Sequence, residues 1–464
     1  FPPNFWRDAY QRHLIMESMA KQQLSPGATN VIARPKRDDS QSLSRVRRAP
    51  KPPKHTFREE SILFATLLKR AFLSKLRNRT NLLTTLLEAP LLGALISSVL
   101  KYSEEENYTF ATAFHIPTYL FMSLVVAMFL GLTNSADEII RDRHTLNRER
   151  NHNLRTFYYL SGKILTLATF ALVQCVIYLA IGNWVLEIRD MFLPHLWWMF
   201  ATSLTGVCLG LLISSVVSDN RTAINAIPLI LIPQIILGGA LIKYEEMNKN
   251  LDFVYSLQRW LVKAGVSEED EPSKLKVPFI CQFMPLRWSY EAMLISQAKL
   301  NPLTSAQDQL ENRIQQLVNL PKEVKMTPEQ QRDLDAAKQG LAVVSGLYAR
   351  TNEEAARKLR EIRDATIRGR LTPQLLRSAL EQQDGVSAEE VYVNRKVLDL
   401  VTKAEMERED YRRKTAANVF FGTVKRYFGT DFDTLWINAM VILFSLGLLI
   451  TGVEISLRRQ LTRV

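Results

Sequence analysis

The sequence predicts an all-α membrane protein: six transmembrane helices, a cytoplasmic amphipathic connecting helix before them, and a large helical extracytoplasmic insertion between helices five and six. Three observations predict it. Several windows of about 20 residues are almost wholly apolar, the length that crosses a bilayer. The segments between them are highly charged, so the mean hydropathy of -0.06 averages two unlike populations. Basic and acidic loops also alternate along the chain, as the positive-inside bias requires.

The 464 residues carry a formal charge of +12. Attraction to anionic lipid and the positive-inside bias account for it. No basic stripe with interleaved aromatics points to nucleic acid. Of the three cysteines, Cys175 and Cys208 fall inside apolar spans, and only Cys281 stands where an oxidising compartment would reach it. That argues against a disulfide within one chain and leaves open a symmetric bond between two copies. The chain opens on Phe1 and shows no signal peptide, so it reads as a piece of a longer polypeptide.

Residues 1–33 place Phe5, Trp6, Tyr10 and Leu14 at roughly helical spacing. Residues 34–58 form a basic, Pro-rich cytoplasmic linker; Arg34–Arg58 holds nine basic and two acidic residues. Residues 59–79 are the connecting helix. Ile62, Leu63, Leu67, Phe72 and Leu76 alternate there with Lys69, Arg70, Lys75, Arg77 and Arg79, and Thr56 with Glu59 fits a capping box. Such a helix lies along a membrane surface.

Residues 80–243 contain spans one to five: Leu82–Leu100, Ile116–Ala136, Tyr158–Ile181, Leu196–Val217 and Ala223–Ile242. The loop 137–157 between spans two and three is basic, with five arginines in Arg141–Arg155 against Asp142 and Glu149, and belongs in the cytoplasm. The loop after span one carries Glu104, Glu105 and Glu106 and belongs outside. Asn107-Tyr108-Thr109 in that loop is a glycosylation sequon, meaningful only in a eukaryotic secretory compartment. Residues 244–434 form the outer region, rich in helix-forming residues from Thr304 to Lys425. Residues 435–464 hold span six, Leu435–Ile455, and a tail with Arg458, Arg459 and Arg463. Both ends are then cytoplasmic, which an even number of crossings satisfies.

No G-x-x-x-x-G-K-[ST] phosphate loop occurs, no His/Cys spacing suits zinc, and no nucleophile set can be argued from spacing. Leu160-Ser161-Gly162-Lys163 reads as the entry to span three. No catalytic residues are expected here. Three polar groups stand inside apolar spans: Glu88, Gln174 and Gln234. A carboxylate in hydrocarbon faces protein or water, and glutamines bond across helices.

Arg148-Glu149-Arg150 followed by Tyr158-Tyr159-Leu160-Ser161-Gly162-Lys163, the stretch Ile232-Pro233-Gln234 to Gly238-Gly239-Ala240-Leu241, and Phe283-Met284-Pro285-Leu286-Arg287-Trp288-Ser289-Tyr290-Glu291-Ala292 resemble, in order and spacing, the ABCG-like permease domain of ABC-2 type ABC transporters. The resemblance covers roughly 56–300 and 430–464, and departs from the family's pattern at Asn153-Leu154-Arg155. It implies an ATP-driven exporter of a lipid-like or amphipathic substrate. Residues 1–33 would close or follow an upstream ATPase domain that supplies ATP and Mg, with no cofactor in this stretch itself. The partners implied are that ATPase, a second permease copy in a homodimer, membrane lipid and an extracytoplasmic partner for the insertion.

The resemblance also carries site residues over. The substrate cavity maps to Val126, Phe129, Leu130, Asn134, Ile232, Ile235 and Ile236, and the valve to Ala240 and Leu241, where a small alanine departs from the usual bulky pair. Asp137, Glu138, Arg141, Arg143, Arg148, Glu149 and Arg150 supply a charged element that couples the ATPase to the spans, and Pro285, Arg287 and Glu291 form an outer element. The long insertion tilts the source toward a bacterial inner membrane. Two other readings stay open: a polysaccharide or glycolipid exporter permease, and a non-transporting scaffold whose outer helices bind envelope partners.

Overall fold

A computed structural model describes residues 57–103, 108–149, 156–248, 277–318, 327–345, 348–349, 352–372, 375–376, 386–412, 420–427 and 430–463. The expectations for residues 1–33 and the linker, the acidic residues 104–106, Asn107, Arg150 and residues 153–155 lie outside these, and Arg58–Val464 forms one unit.

Helix α1 (Phe57–Arg77) is the connecting helix, two residues earlier at each end than its pattern indicates. Its apolar stripe buries Leu67 and Ala71 and stacks Phe72 on Phe170, ring centroids 5.5 Å apart. The first two spans are α2 (Arg79–Leu100) and α3 (Ile116–Ser135). After a two-residue break comes the short polar helix α4 (Glu138–Glu149). Spans three and four are α5 (Thr156–Val185) and α6 (Phe192–Val216), and the last span is α14 (Thr434–Arg463). Among the described residues, five helical stretches are long and apolar enough to cross a membrane: Leu82–Leu100, Ile116–Leu146, Thr156–Val185, Phe192–Val216 and Thr434–Gln460.

The expected fifth span, Ala223–Ile242, is shorter than the sequence reading placed it. Helix α7 runs Asn220–Ile236, 17 residues with Pro228 and Pro233 inside it. At 1.5 Å per residue it covers about 25 Å, less than the roughly 30 Å of a hydrocarbon core. Each proline removes one N–H from the helical ladder, and the chain turns at Gly239, whose φ of 81° suits only glycine. Gly239 is also closed in by the Tyr244 ring.

The centre of the bundle is the α3–α6 pair, whose backbones approach through glycine. A methyl group at Gly131 would collide with the Ser203 carbonyl, one at Gly206 with the Met128 carbonyl, and one at Gly210 with Ser135. Small residues spaced by four let membrane helices close to this distance. Around the pair, α2 packs on α5, and α14 packs on α6.

The outer region begins with α8 (Pro285–Lys299), buried almost throughout against α3, α6 and α14. Then follow α9 (Pro302–Val318), α10 (Pro328–Ser345), β1 (Tyr348–Ala349), α11 (Asn352–Ile367), β2 (Val386–Ser387), α12 (Ala388–Tyr392), α13 (Arg395–Arg412), β3 (Val424–Tyr427) and β4 (Thr430–Asp433). Two small antiparallel pairs, β1–β2 and β3–β4, accompany the helices. The second ends at Asp433 and feeds α14 directly, so strand pairing fixes how the chain enters the last span.

Helices α9 to α12 enclose their own apolar core, including Leu303, Leu310, Leu359, Ile362 and Tyr392. That unit is tied to loops of the span region. Asn394 donates from Nδ2 to the carbonyls of Phe110 and Ala113 at 2.7 and 2.8 Å, while its Oδ1 caps α13 by accepting from Val397 N at 3.1 Å. Arg360 pairs with Asp190 in the turn between α5 and α6.

Candidate coupling site at the base of the spans

Helix α4 begins at Glu138, only two residues after α3 ends, so its first N–H groups need outside acceptors. Ser214 of α6 supplies one: its Oγ accepts from Ile139 N at 2.9 Å and Ile140 N at 3.1 Å. Farther along α4, Arg143 donates to the carbonyl of Val217 at 2.7 Å and closes the end of α6. Helices α4 and α6 therefore cap each other.

Glu138 sits at the first position of α4, where a carboxylate also suits the helix dipole, and it is 6% exposed. Lys163 of α5 donates to its Oε1 at 2.8 Å. Lys75 of α1 lies 2.7 Å from its Oε2, and Arg141 donates to the same oxygen at 2.9 Å. Lys163 also reaches Asp142 at 2.7 Å, Tyr159 donates to Asp142 at 3.0 Å, and Arg141 pairs with Asp137 at 3.0 Å. Three carboxylates and three cations balance within one cluster that touches α1, α4 and α5. Burying one partner alone would be costly, so the network holds only as a set.

At its α1 edge, Tyr158 donates to Glu60 at 2.7 Å. Lys75 also donates to the Asn134 carbonyl in the last turn of α3, at 3.4 Å. Helix α1 is thus bonded to α3, α4 and α5.

Of the coupling residues expected from sequence, Asp137, Glu138 and Arg141 lie in this network, and Arg143 in the cap beside it. Arg148 is exposed near the end of α4. The Glu149 side chain and Arg150 lie outside the described set. Sequence reasoning missed the two lysines. Lys75 was counted with the basic face of the amphipathic helix, and Lys163 with a span entry, yet Lys163 is 6% exposed. A lysine at the start of an apolar span was the available signal.

The expected cavity residues divide. Val126 and Leu130 are 5% and 1% exposed inside the core, so they line no open cavity of this chain. They share a stripe of α3 with Tyr119, Ser123 and Asn134, whose side chains bond to Asn183, Tyr178 and Gln174 of α5. Phe129 and Ile235 are partly buried against that core, and Ile232 and Ile236 are exposed on α7. Asn134 is a network residue: it donates to Gln174 at 2.9 Å, and Gln174 donates to the Thr85 carbonyl at 2.7 Å, joining α3, α5 and α2. Ala240 and Leu241 lie in the turn after α7, Ala240 partly buried and Leu241 exposed. Glu88 is exposed on α2.

The outer element assembles at the other end of the bundle. Pro285 opens α8, and Gln234 of α7 accepts from the next residue's amide, Leu286 N, at 3.3 Å. Glu291 is fully buried. Lys425 of β3 donates to its Oε2 at 2.5 Å, Asn438 of α14 donates to the same oxygen at 3.3 Å, and Phe421 N donates to Oε1 at 3.1 Å. Arg287 lies 3.5 Å from Oε2 and stacks over Trp288, 3.9 Å from the ring centroid.

Burial works to raise the Glu291 carboxyl. The Lys425 ammonium and then Arg287 outweigh it and hold the carboxyl below the usual range. Burial likewise pulls Lys425 down to about 8, against the attraction of Glu291. The pair stays ionised at neutral pH. Cys281, expected to be accessible, is buried beside Met247, which removes the basis for a bond to a second copy in this arrangement.

Residues 62–264 match the family model for the ABC-2 type transporter. The match begins within α1 and takes in all of α2 to α7, so it contains Lys75, Glu138 and Lys163. No curated protein matches the chain.

Proposed function

We propose that this chain, with an ABC-2 type transporter membrane domain over residues 62–264, is the permease of an ATP-driven exporter of the ABCG-like kind. It works as a homodimer and is driven by an ABC ATPase joined upstream in the same polypeptide. The observation that carries the reading is the Glu138 cluster. A permease contains no phosphate chemistry, so it needs a rigid path from the ATPase to the spans, and Lys75, Glu138 and Lys163 join the surface helix α1 to two span elements through buried charge.

The cargo is lipid-like or amphipathic. Ile232 and Ile236 on α7 and Leu241 in the turn after it leave an apolar surface exposed, which suits an apolar path completed by a second copy. The insertion then lies outside a bacterial inner membrane, with both ends of the chain in the cytoplasm. The test is ATPase activity of the full-length protein in nanodiscs with candidate lipids added. Stimulation by a lipid, lost in Glu138→Gln with nucleotide binding retained, supports the export reading. Hydrolysis indifferent to every amphipathic cargo, with envelope proteins retained on the outer helices, would replace it with the scaffold reading.

A further inference from the structure

We infer that the exposed face of α7 recognises an amphiphile whose headgroup carries hydroxyl donors; this rests on the reading that the same face lines the cargo path. Helix α7 contains Pro228 and Pro233. Proline has no N–H, so Pro228 leaves the carbonyl of Ile224 without its helical donor, and Pro233 does the same to the carbonyl of Leu229. No side chain among the described residues donates to either carbonyl.

Both carbonyls lie on the side of α7 that this chain leaves uncovered. Ala223, Ile227 and Gln234 are buried on the other side, and α7 packs on α3 and α6. At 100° per residue, Asn225, Pro228, Leu229, Ile232, Pro233 and Ile236 fall within an arc of about 140° opposite those three. All six are exposed. Ile224, at the edge of the arc, is 52% exposed, and Leu229 is 75% exposed. A helical carbonyl points along the axis toward the residue four ahead, so each oxygen faces a proline ring within or beside this arc.

Ile224 and Leu229 stand about 6 and 14 Å along α7 from its first residue, inside the span. Lipid tails offer no hydrogen bond there, and backbone freed from the helical ladder is tolerated only against protein or a water-filled cavity. The face therefore calls for donors. It presents two carbonyl oxygens and the Asn225 amide, framed by Leu229, Ile232 and Ile236. A hydroxylated headgroup donates to the oxygens while its hydrocarbon tail lies on the apolar side chains. Helix α7 carries no carboxylate to pair with an ammonium, and its one charged residue is Arg221, so neutral hydroxyls are the donors whose charge and geometry both fit.

The test uses the full chain in phosphatidylcholine nanodiscs with Ile232→Cys as the reporter, since the native cysteines are buried. Alkylation by N-ethylmaleimide is followed while dodecyl maltoside is titrated in, or its fully O-methylated derivative, which keeps the tail and every oxygen but donates nothing. The maltoside should protect at about tenfold lower concentration, the ratio set by two hydrogen bonds of ordinary net strength. Pro228→Ala/Pro233→Ala returns both N–H groups to the ladder and favours the helix, so the fold is kept and the preference should fall to near one. Equal protection by the two amphiphiles would mean that something other than the headgroup, such as a second copy, meets the carbonyls. That result, or a preference that persists in the double-proline variant, would overturn the inference alone. A reporter that never reacts, or that neither amphiphile protects, would remove the cargo path along α7 and the inference with it.

Discussion

The Lys163 ammonium lies 2.8 Å from the Glu138 carboxylate, joining the base of the third span to the first residue of the helix that follows the second. Both side chains are nearly buried, at 7% and 8% exposure, and Lys75 completes the site from a helix that precedes every span. The three residues are distant in sequence and meet because α1 lies along α5, with Phe72 stacked on Phe170 and Tyr158 bonded to Glu60.

Removing the shared acceptor should unbalance the set. Glu138→Gln leaves Lys75 without its carboxylate and Lys163 with Asp142 alone, and is expected to cost about 3 kcal/mol, the low end of the range for breaking one partner of a buried pair. Thermal unfolding in detergent measures it. The double variant Glu138→Gln/Lys163→Met should lose less than the sum of the singles. Strict additivity would show that the two groups do not interact.

Force transmission is a separate expectation. Glu149→Ala, at the far end of α4, should leave the protein folded and inserted while cargo-stimulated ATPase activity of the full-length protein falls severalfold and nucleotide still binds. Unchanged stimulation would confine α4 to a topological role.

The outer cluster predicts a pH dependence. The folded carboxyl of Glu291 titrates below its ordinary value of 4.5, so its contribution is fully present above about pH 4.5 and is lost as pH falls through the lower folded value. Wild type and Glu291→Gln should differ most in melting temperature near neutral pH and converge as the solution is acidified. A gap independent of pH would mean that the charge on Glu291 contributes nothing.

Close packing of α3 on α6 predicts the effect of adding bulk. Gly206→Leu places its Cβ 2.5 Å from the Met128 carbonyl oxygen, and backbone cannot yield as a side-chain tip does. The expected loss is at least the roughly 1–3 kcal/mol of core overpacking, seen as lower yield of monodisperse protein. Gly447→Leu, with nothing within 4 Å of its added Cβ, is the control and should be tolerated.

Loop charge predicts sidedness. Glu105→Cys should react with an impermeant thiol reagent in intact cells, and Asn151→Cys should react only after permeabilisation. The native Cys175, Cys208 and Cys281 are buried and give a quiet background. The opposite labelling pattern would invert the topology.

The sequence by itself determined the helical character of the protein, four of the spans by continuous apolar length, the last span after a long polar interval, and the amphipathic helix at the start. These are local properties: one stretch of chain either matches the thickness of a bilayer or it does not. It also pointed to Asp137, Glu138 and Arg141 as one charged element, because they are neighbours on one helix. The tertiary structure decided what depends on partners distant in sequence. Lys75 and Lys163 became ligands of Glu138 only when α1 came to rest on α5. Val126 and Leu130 became core because the stripe of α3 that carries them, with Tyr119 and Ser123, faces α5. Glu291 found Lys425, 134 positions later, through a β-hairpin too short to leave a periodic signal. Hydropathy registers the cost of leaving water, which each segment meets alone, whereas buried charge is stable only with a counter-charge whose position the whole fold has to supply.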